Sequence, residues 1–233
     1  MSAFLAIDTA DRTVGVALLV SGQVVAEYIE TSAYRHSERL FALIDEALLG
    51  AGLARDDLTA VAVTTGPGSF TGLRVGLATA KGLAFALGLP IVGISTLEAL
   101  AWGAMPFPGT ILPILDARKR QVYAAAFEGL DGEVLLPLRA WDPGELAARA
   151  AACVPPVLAL GSGLGPYRSV LEEVLGNRLL CASQLRWQVP PGQVALLAAR
   201  AVRAGRGLSP EAVVPAYLRR SEAEEAKDRR VGA

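Results

Sequence analysis

Residues 4–29 read FLAIDTADRTVGVALLVSGQVVAEYI, a stretch that contains three apolar segments separated by short polar turns. Apolar runs of this length, bounded by Asp, Ser and Gly, are typical of β-strands. Gly22-Gln23 allows the second run to turn directly into the third, so neighbouring strands are expected to be antiparallel. We therefore predict that the fold begins with a three-stranded antiparallel meander.

After the meander, the sequence alternates between helical and strand patterns. Apolar residues recur at helical spacing in long segments, and short apolar runs separate these segments. The predicted elements are a helix at 35–49, a strand at 60–64, a helix at 71–87 that Gly88 ends, a strand at 90–94 and a helix opened by the capping box Ser95-x-x-Glu98. This order, βββαβαβα, is that of the ribonuclease H-like fold.

A second copy of the opening pattern appears in the middle of the chain. Ile7-Asp8 recurs as Leu115-Asp116 and Val14 recurs as Val122, at one constant offset. The elements predicted for this copy are a strand at 133–136 that closes its meander, a helix that begins at Asp142-Pro143-Gly144-Glu145, a strand at 157–160 and a helix at 167–175. A duplicated βββαβα unit predicts a two-lobed α/β protein.

The duplication also predicts how the chain is divided. The expected parts are a first ribonuclease H-like lobe of residues 1–105 and 190–218, a second, reduced lobe of residues 106–189 and a charged tail of residues 219–233. Pro106-Phe107-Pro108-Gly109 is the expected linker between the lobes. We expect the helix at Gln193–Ala204 to return to the first lobe.

The composition restricts the class of protein. Apolar residues make up 52% of the chain, which is enough for a substantial core and excludes a largely disordered protein. Twenty-two basic and 23 acidic residues leave a formal net charge of -1. No global field therefore attracts nucleic acid, and any RNA contact would be local or made by a partner.

The location of the protein is predicted by its cysteines and its first residues. Cys153 and Cys181 match no metal-binding spacing and predict buried thiols in a reducing compartment. The first apolar run ends at Asp8 and lacks the flanks of a signal peptide. We therefore expect a soluble, cytoplasmic protein.

The most specific stretch is residues 65–76, TGPGSFTGLRVG, followed by Lys81-Gly82. Together with Ile7-Asp8-Thr9, His36-Ser37-Glu38-Arg39-Leu40 and Pro215-Ala216-Tyr217-Leu218-Arg219, it resembles the TsaB, or YeaZ, family. This family lies in the superfamily of actin, sugar kinases and heat-shock ATPases, which hold ATP between two lobes. The resemblance spans nearly the whole chain and implies a two-lobed actin-like ATPase fold.

The same resemblance implies a function. It implies a non-catalytic scaffold subunit that partners TsaD in attaching a threonylcarbamoyl group to N6 of adenosine 37 of tRNAs reading codons that start with A. The wider complex would include the ATPase TsaE, and a separate enzyme would supply threonylcarbamoyl-adenylate. The chain would then reach tRNA only through the complex.

The residues offer no conventional catalytic constellation. His36 is the only histidine, so the chain cannot form the His-x-x-x-His pair that holds a metal in the catalytic paralogue of this superfamily. A Ser-His-Asp triad would need the same histidine, which stands beside Ser37 at the start of a helix, where a capping or surface role is the simpler interpretation. We therefore predict no catalytic residue, no metal site and no required cofactor.

A degenerate nucleotide site is expected in the first lobe. Gly66, Gly68 and Ser69 stand between a strand and a helix, where backbone amides can receive a phosphate. The loop lacks a P-loop lysine, however, and Asp8-Thr9 is followed by alanine where related ATPases prefer glycine. We expect at most weak ATP or ADP binding there. Residues 161–165, GSGLG, fit a tight turn at least as well as a nucleotide contact.

The predicted helix at 71–87 carries a stripe without side-chain bulk. Gly72, Gly76, Ala80 and Ala84 recur every four residues, and a glycine in a helix interior costs about 0.5–1 kcal/mol relative to alanine. Close approach by a second helix would offset this cost, although a neighbour from the same lobe is the more frequent arrangement. The preceding helix has an apolar arc of roughly 160°, wider than the ~100° that one core contact needs.

Spare apolar surface of this kind predicts that the two helices bind the matching helices of TsaD. The predicted interface residues are Phe41, Asp45, Leu48, Gly72, Leu73, Gly76, Leu77 and Ala80. The same patch predicts a homodimer that competes with the heterodimer. An ATP-dependent small-molecule kinase and a glycoprotease-like hydrolase stay open as alternatives. Tyr217 and Arg219-Arg220 fit either an RNA contact or a solvated surface.

Overall fold

Within residues 2–31 and 36–218, which the computed structural model describes, two five-stranded mixed sheets form the body of the protein. The expectations for Arg35, for the side chain of His36 and for the charged tail at 219–233 lie outside the described residues. The α/β class expected from the sequence is confirmed, since helices cover both sheets.

The first sheet and its helices follow the predicted order of elements. They are β1 (Ala3–Asp8), β2 (Thr13–Val20), β3 (Gln23–Thr31), α1 (His36–Ala51), β4 (Ala60–Gly66), α2 (Phe70–Leu87), β5 (Ile91–Ser95) and α3 (Thr96–Trp102). Two predicted signals fix the ends of these helices. The Ser95 hydroxyl accepts a hydrogen bond from the Glu98 amide and begins α3, whereas Gly88 adopts a left-handed conformation and ends α2.

The second half of the chain repeats this order. Its elements are β6 (Thr110–Asp116), β7 (Val122–Glu128), β8 (Val134–Trp141), α4 (Pro143–Ala150), β9 (Val157–Leu160), α5 (Leu164–Leu175), β10 (Leu179–Cys181) and α6 (Pro191–Arg203). The Asp142 side chain accepts hydrogen bonds from the amides of Gly144 and Glu145 and begins α4, as its sequence predicts. Short 3-10 helices occupy residues 55–57, 176–178 and 184–186.

The strand order shows that the two halves are copies of one unit. The first sheet has the order β3-β2-β1-β4-β5, and the second has the order β10-β9-β6-β7-β8. β1 is antiparallel to β2 and parallel to β4, while β6 is antiparallel to β7 and parallel to β9. Read from β8 to β10, the second sheet therefore has the topology of the first, and the predicted duplication is confirmed.

Alternating side chains along the strands divide the molecule into five layers. In β1, Leu5 and Ile7 belong to a core shared with α1 and α2, whereas Phe4 and Ala6 belong to a core shared with α3 and α6. The second sheet joins that central core on one face and packs against α4 and α5 on the other. Complete burial of one large apolar side chain contributes about 1.5–3 kcal/mol. The helices α1 and α2 thus form an outer layer of the first half.

The helix α6 lies in the central layer, after the second sheet in sequence. It packs against β1 and β2 of the first sheet and also contacts α3. Pro191, in its first turn, lies close to Gly15, where an added Cβ would meet the proline ring at 2.9 Å. The lobe boundaries drawn at residues 105 and 190 stay a prediction.

Two strands differ from the sequence-based expectation. β8 extends through Pro137 to Trp141 instead of ending near Leu136. Proline is tolerated there because β8 is an edge strand, and the register of its pairing with β7 shifts at this point. β10 escapes prediction because Leu179–Cys181 is too short to show a periodic pattern.

The last described segment, residues 206–218, is called the C-terminal strap here. Leu208 pairs with Ile91 through two backbone hydrogen bonds of 3.0 Å. Farther along, the Ala216 amide donates a 2.7 Å hydrogen bond to the Thr65 carbonyl. Because an open strand edge invites pairing with another chain, the strap protects β5, and it leads the chain to the start of α2.

Candidate functional site

The turn after β1 holds a fully buried carboxyl group. Oδ1 of Asp8 accepts hydrogen bonds from the Thr64 hydroxyl at 2.7 Å and from the Ala10 amide at 3.2 Å. Oδ2 has no hydrogen-bond partner among the described residues. Burial raises the pKa of Asp8 to about 7, although these two hydrogen bonds act in the opposite direction. Asp8 is therefore partly protonated near neutral pH.

The glycine-rich loop packs directly onto this turn. The Ser69 amide donates a 2.6 Å hydrogen bond to the Ala10 carbonyl, and a Cβ on Gly68 would lie 2.1 Å from the same oxygen. The Ser69 hydroxyl accepts a hydrogen bond from the Gly72 amide and begins α2. The structure thus brings together the residues predicted for a degenerate nucleotide site.

This geometry leaves little room for a nucleotide phosphate between the loop and the turn. The Ser69 amide, which a phosphate would need, already has an acceptor within the chain. At the mouth of the loop, the strap fills the space beside Gly66, where an added Cβ would lie 3.0 Å from the Ala216 carbonyl oxygen. Weak ATP or ADP binding at the degenerate site stays a prediction.

The turn after β1 also explains the glycines in α2. A Cβ on Gly72 would lie 2.0 Å from the Thr9 carbonyl oxygen, and one on Gly76 would lie 2.2 Å from the Thr9 hydroxyl. That hydroxyl donates a 2.7 Å hydrogen bond to the Gly72 carbonyl. Close approach does occur, but the neighbour is a turn of the same half and not a helix of a partner. The expected partner-facing role of these glycines is wrong.

The remaining predicted interface residues divide into buried and exposed groups. Leu48, Leu73, Leu77 and Ala80 are buried under α1 and α2, so their expected exposure is also wrong. They are inaccessible because both helices cover the same face of the first sheet. Phe41 is 50% exposed, as the wide apolar arc of α1 predicts. Asp45 is exposed and forms an ion pair with Arg55.

The outer surface of the two helices carries apolar residues that the sequence analysis misses. Leu49 is 83% exposed and Phe85 is 76% exposed. Ala78 and Gly82 are also exposed, and Gly82 has no atom near the position of an added Cβ. The docking face is defined here by three residues of α1 and three of α2: Phe41, Asp45, Leu49, Ala78, Gly82 and Phe85.

Helical spacing is the signal that could reveal this surface. Phe41, Asp45 and Leu49 recur every four residues on α1, and Ala78 and Gly82 do so on the side of α2 opposite Gly76 and Ala80. A helix that is apolar on both sides is usually covered on both. The first half of the chain covers only the inner side of α2, so the outer side is available to another molecule.

The corresponding region of the second half is a tight turn. The Gly163 amide donates a 2.9 Å hydrogen bond to the Ile114 carbonyl, which ties the glycine-rich segment to the end of β6. The Ser162 hydroxyl accepts from the Asp116 amide at 3.5 Å. Unlike Asp8, Asp116 is only partly buried. These contacts account for residues 161–165 as local structure.

Two further searches cover only the part of the chain that the structure describes. Within residues 2–31 and 36–218, no group of three His, Cys, Asp or Glu side chains is arranged to hold a metal ion. Among the same residues, no helix is both long and apolar enough to cross a bilayer. The expectation that the complete chain needs no metal stays a prediction.

Comparison with known proteins places the chain among relatives. A family model described as TsaD, tRNA N6-adenosine threonylcarbamoyltransferase, matches residues 22–136. The tRNA threonylcarbamoyladenosine biosynthesis protein TsaB of Bacillus subtilis (strain 168) is 35% identical over 222 residues, which cover 94% of this chain and 95% of that protein.

Solved structures agree with this relationship. A Pseudomonas aeruginosa protein with similarity to the peptidase YeaZ superposes with a TM-score of 0.81 and 30% identity, covering 94% of this chain and 100% of the other. The ROK hexokinase of Thermus thermophilus superposes with a TM-score of 0.52 and 14% identity, and the match covers 86% of this chain and 99% of the hexokinase chain. The two proteins share the two-lobed actin-like fold. Because it is similar to the Bacillus protein over nearly the full length of both, the chain belongs to the TsaB family of tRNA threonylcarbamoyladenosine biosynthesis proteins.

Proposed function

We propose that this protein is a non-catalytic subunit that binds TsaD through the docking face during threonylcarbamoylation of adenosine 37 in tRNA. The observation that carries the proposal is the pair of outer helices whose large apolar side chains, above all Phe85 and Leu49, stay exposed. Covering one such side chain contributes about 1.5–3 kcal/mol. An exposed apolar surface rimmed by charged residues is typical of a protein interface.

Homology favours TsaD as the molecule that covers the docking face. The TsaD family model matches residues 22–136, a range that includes both α1 and α2. A TsaD chain therefore carries equivalent helices, and two equivalent helix pairs can pack around a local two-fold axis. A second copy of this chain has the same helices, so a homodimer competes for the same surface.

The closed glycine-rich loop favours a scaffold role over the kinase alternative. A small-molecule kinase must hold the phosphates of ATP, but the Ser69 amide is already bonded to the Ala10 carbonyl. The hydrolase alternative needs a nucleophile with a base, and Asp8 is held by Thr64 and Ala10 beneath α2. In the proposed complex, which works in the cytoplasm, TsaD contributes the catalytic groups, TsaE is a further subunit and tRNA is reached through the assembly.

Replacing Phe85 by glutamate tests the docking face. The variant should fold normally, because this side chain is 76% exposed, and should bind TsaD roughly 10- to 100-fold more weakly. The matched control is Leu185→Glu, since Leu185 is 86% exposed and lies in the second half of the chain. Calorimetric titration against TsaD from the same organism measures both variants.

The control should bind TsaD as tightly as the wild-type protein does. Unchanged affinity for Phe85→Glu, together with an unchanged melting temperature, would contradict the assignment of the docking face. Wild-type protein that does not bind TsaD at all would refute the proposed partner. Sedimentation of the variants without TsaD then tests whether the homodimer uses the same surface.

A further inference from the structure

Arg74 stands at the start of the outer side of α2, one helical turn before Ala78. Its guanidinium carbon lies 3.8 Å from the centre of the Phe70 ring. Its Nε donates a 3.1 Å hydrogen bond to the hydroxyl of Tyr217. A stacked and hydrogen-bonded guanidinium has lost most of its rotational freedom before any partner arrives.

The C-terminal strap supplies half of this arrangement. Tyr217 lies 143 residues after Arg74, and its ring centre is 4.8 Å from that of Phe70. The hydrogen bond between Ala216 and Thr65 fixes the strap one residue earlier. Tyr217 is still 41% exposed, so the cluster forms part of the surface and is not a core contact.

Arg74 differs from four other arginines of the chain, which are paired. Arg39, Arg55, Arg139 and Arg168 each form an ion pair with a carboxylate of this chain. Arg74 forms none with any other residue in the described ranges, and only its Nε is used there. Its two terminal amino groups therefore remain available as a fixed, planar pair of donors.

We propose that Arg74 binds a carboxylate of TsaD at the edge of the docking face, and that Tyr217 and Phe70 orient it for this contact. The inference rests on the proposed function, because it names a polar anchor for the same interface. Planar guanidinium groups bind carboxylates through two parallel hydrogen bonds. Because Phe70 and Tyr217 already hold Arg74, binding costs less side-chain entropy. The neighbouring apolar residues exclude water and so strengthen the contact between the guanidinium and the carboxylate. Arginines of this kind are frequent among the residues that dominate binding energy.

Replacing Arg74 by lysine keeps the positive charge but removes the planar guanidinium group. Arg74→Lys should weaken TsaD binding roughly 10-fold, since an ammonium group cannot make the paired contact. Tyr217→Phe keeps the ring and loses the orienting hydroxyl, so a smaller loss of about 3-fold is expected. The matched control is Arg200→Lys on α6. The Arg200 guanidinium lies 4.2 Å from the centre of the Trp102 ring, in the central layer and away from the docking face. Titrations at low and high salt measure all three variants, and thermal melting confirms that each is folded.

Charge reversal identifies the partner group. Arg74→Glu should abolish measurable binding, and one Asp→Lys or Glu→Lys substitution on the helices of TsaD should restore it. The anchor is refuted if Phe85→Glu weakens binding while a folded Arg74→Lys variant binds as the wild type does. It is also refuted if no single charge reversal on TsaD rescues Arg74→Glu. Complete absence of wild-type binding would instead refute the proposed function, so the two failures can be told apart.

Discussion

The two sides of α2 carry similar small residues for different physical reasons. On the inner side, Gly72 and Gly76 leave room for Thr9, whose backbone and hydroxyl oxygens occupy the space of two missing Cβ atoms. On the outer side, an added Cβ on Gly82 would have no neighbour within 4 Å. A glycine in a helix therefore signals close approach only on the side where something is packed, and its spacing alone does not reveal that side.

The inner side of α2 packs against a turn that contains a buried carboxyl group, whereas the outer side of α2 is exposed. Thr9 follows Asp8, whose carboxyl group is completely buried and has one oxygen without a partner among the described residues. The outer side ends at exposed Phe85. The inner side thus contributes to folding and the outer side is free to contribute to association.

The largest effect is expected for Gly72→Ala. The new methyl group would lie 2.0 Å from the Thr9 carbonyl oxygen, which is backbone and cannot move away cheaply. We expect a loss of about 3 kcal/mol or more in the free energy of unfolding. Urea denaturation of the variant measures this loss. A variant as stable as the wild type would break the comparison, since it would show that the inner side is loosely packed.

A second effect, which depends on pH, is expected for Asp8→Asn. The pKa of Asp8 is about 7 in the folded protein and about 3.9 in an unfolded chain. Between these values the folded state binds a proton that the unfolded state has released. Wild-type stability should therefore fall as pH rises from about 4 to 7, and this contribution should stay lost above pH 7.

The asparagine variant removes this dependence because its side chain does not titrate. Its stability relative to the wild type should increase from about pH 4 to pH 7 and then remain constant. Asp116→Asn is the matched control, since Asp116 has the same position in the second half but is only partly buried. Denaturation curves at several pH values measure the free energy of unfolding of the wild type and both variants. Parallel pH profiles for the wild type and Asp8→Asn would show that burial does not control this carboxyl group.

The smallest effect has the opposite sign. Gly82→Ala should raise the free energy of unfolding by about 0.5–1 kcal/mol, because alanine restricts the unfolded chain and its methyl group meets no neighbour. Thermal melting of Gly82→Ala beside Gly72→Ala compares two identical substitutions in one helix. Destabilisation by Gly82→Ala would mean that both sides of α2 are closely covered, and the contrast would disappear.

Much of the fold could be predicted because its signals are local. The meander, the helix beginnings at Ser95 and Asp142 and the end of α2 at Gly88 all follow from neighbouring residues, and the structure confirms each of them. The exposed residues of α1 were harder to predict, because Leu48 and Phe41 have similar chemistry on one helix. Their different exposure depends on where the sheet lies beneath α1.

The amino-acid sequence by itself determined the order of elements, the duplication and the membership of residues in faces of each helix and strand. These properties follow from spacing along the chain. Only the tertiary structure decided what covers each face: Thr9 over the inner side of α2, solvent over Phe85, and Tyr217 beside Arg74. Such contacts join residues far apart in sequence, and they exist only once the layers have packed.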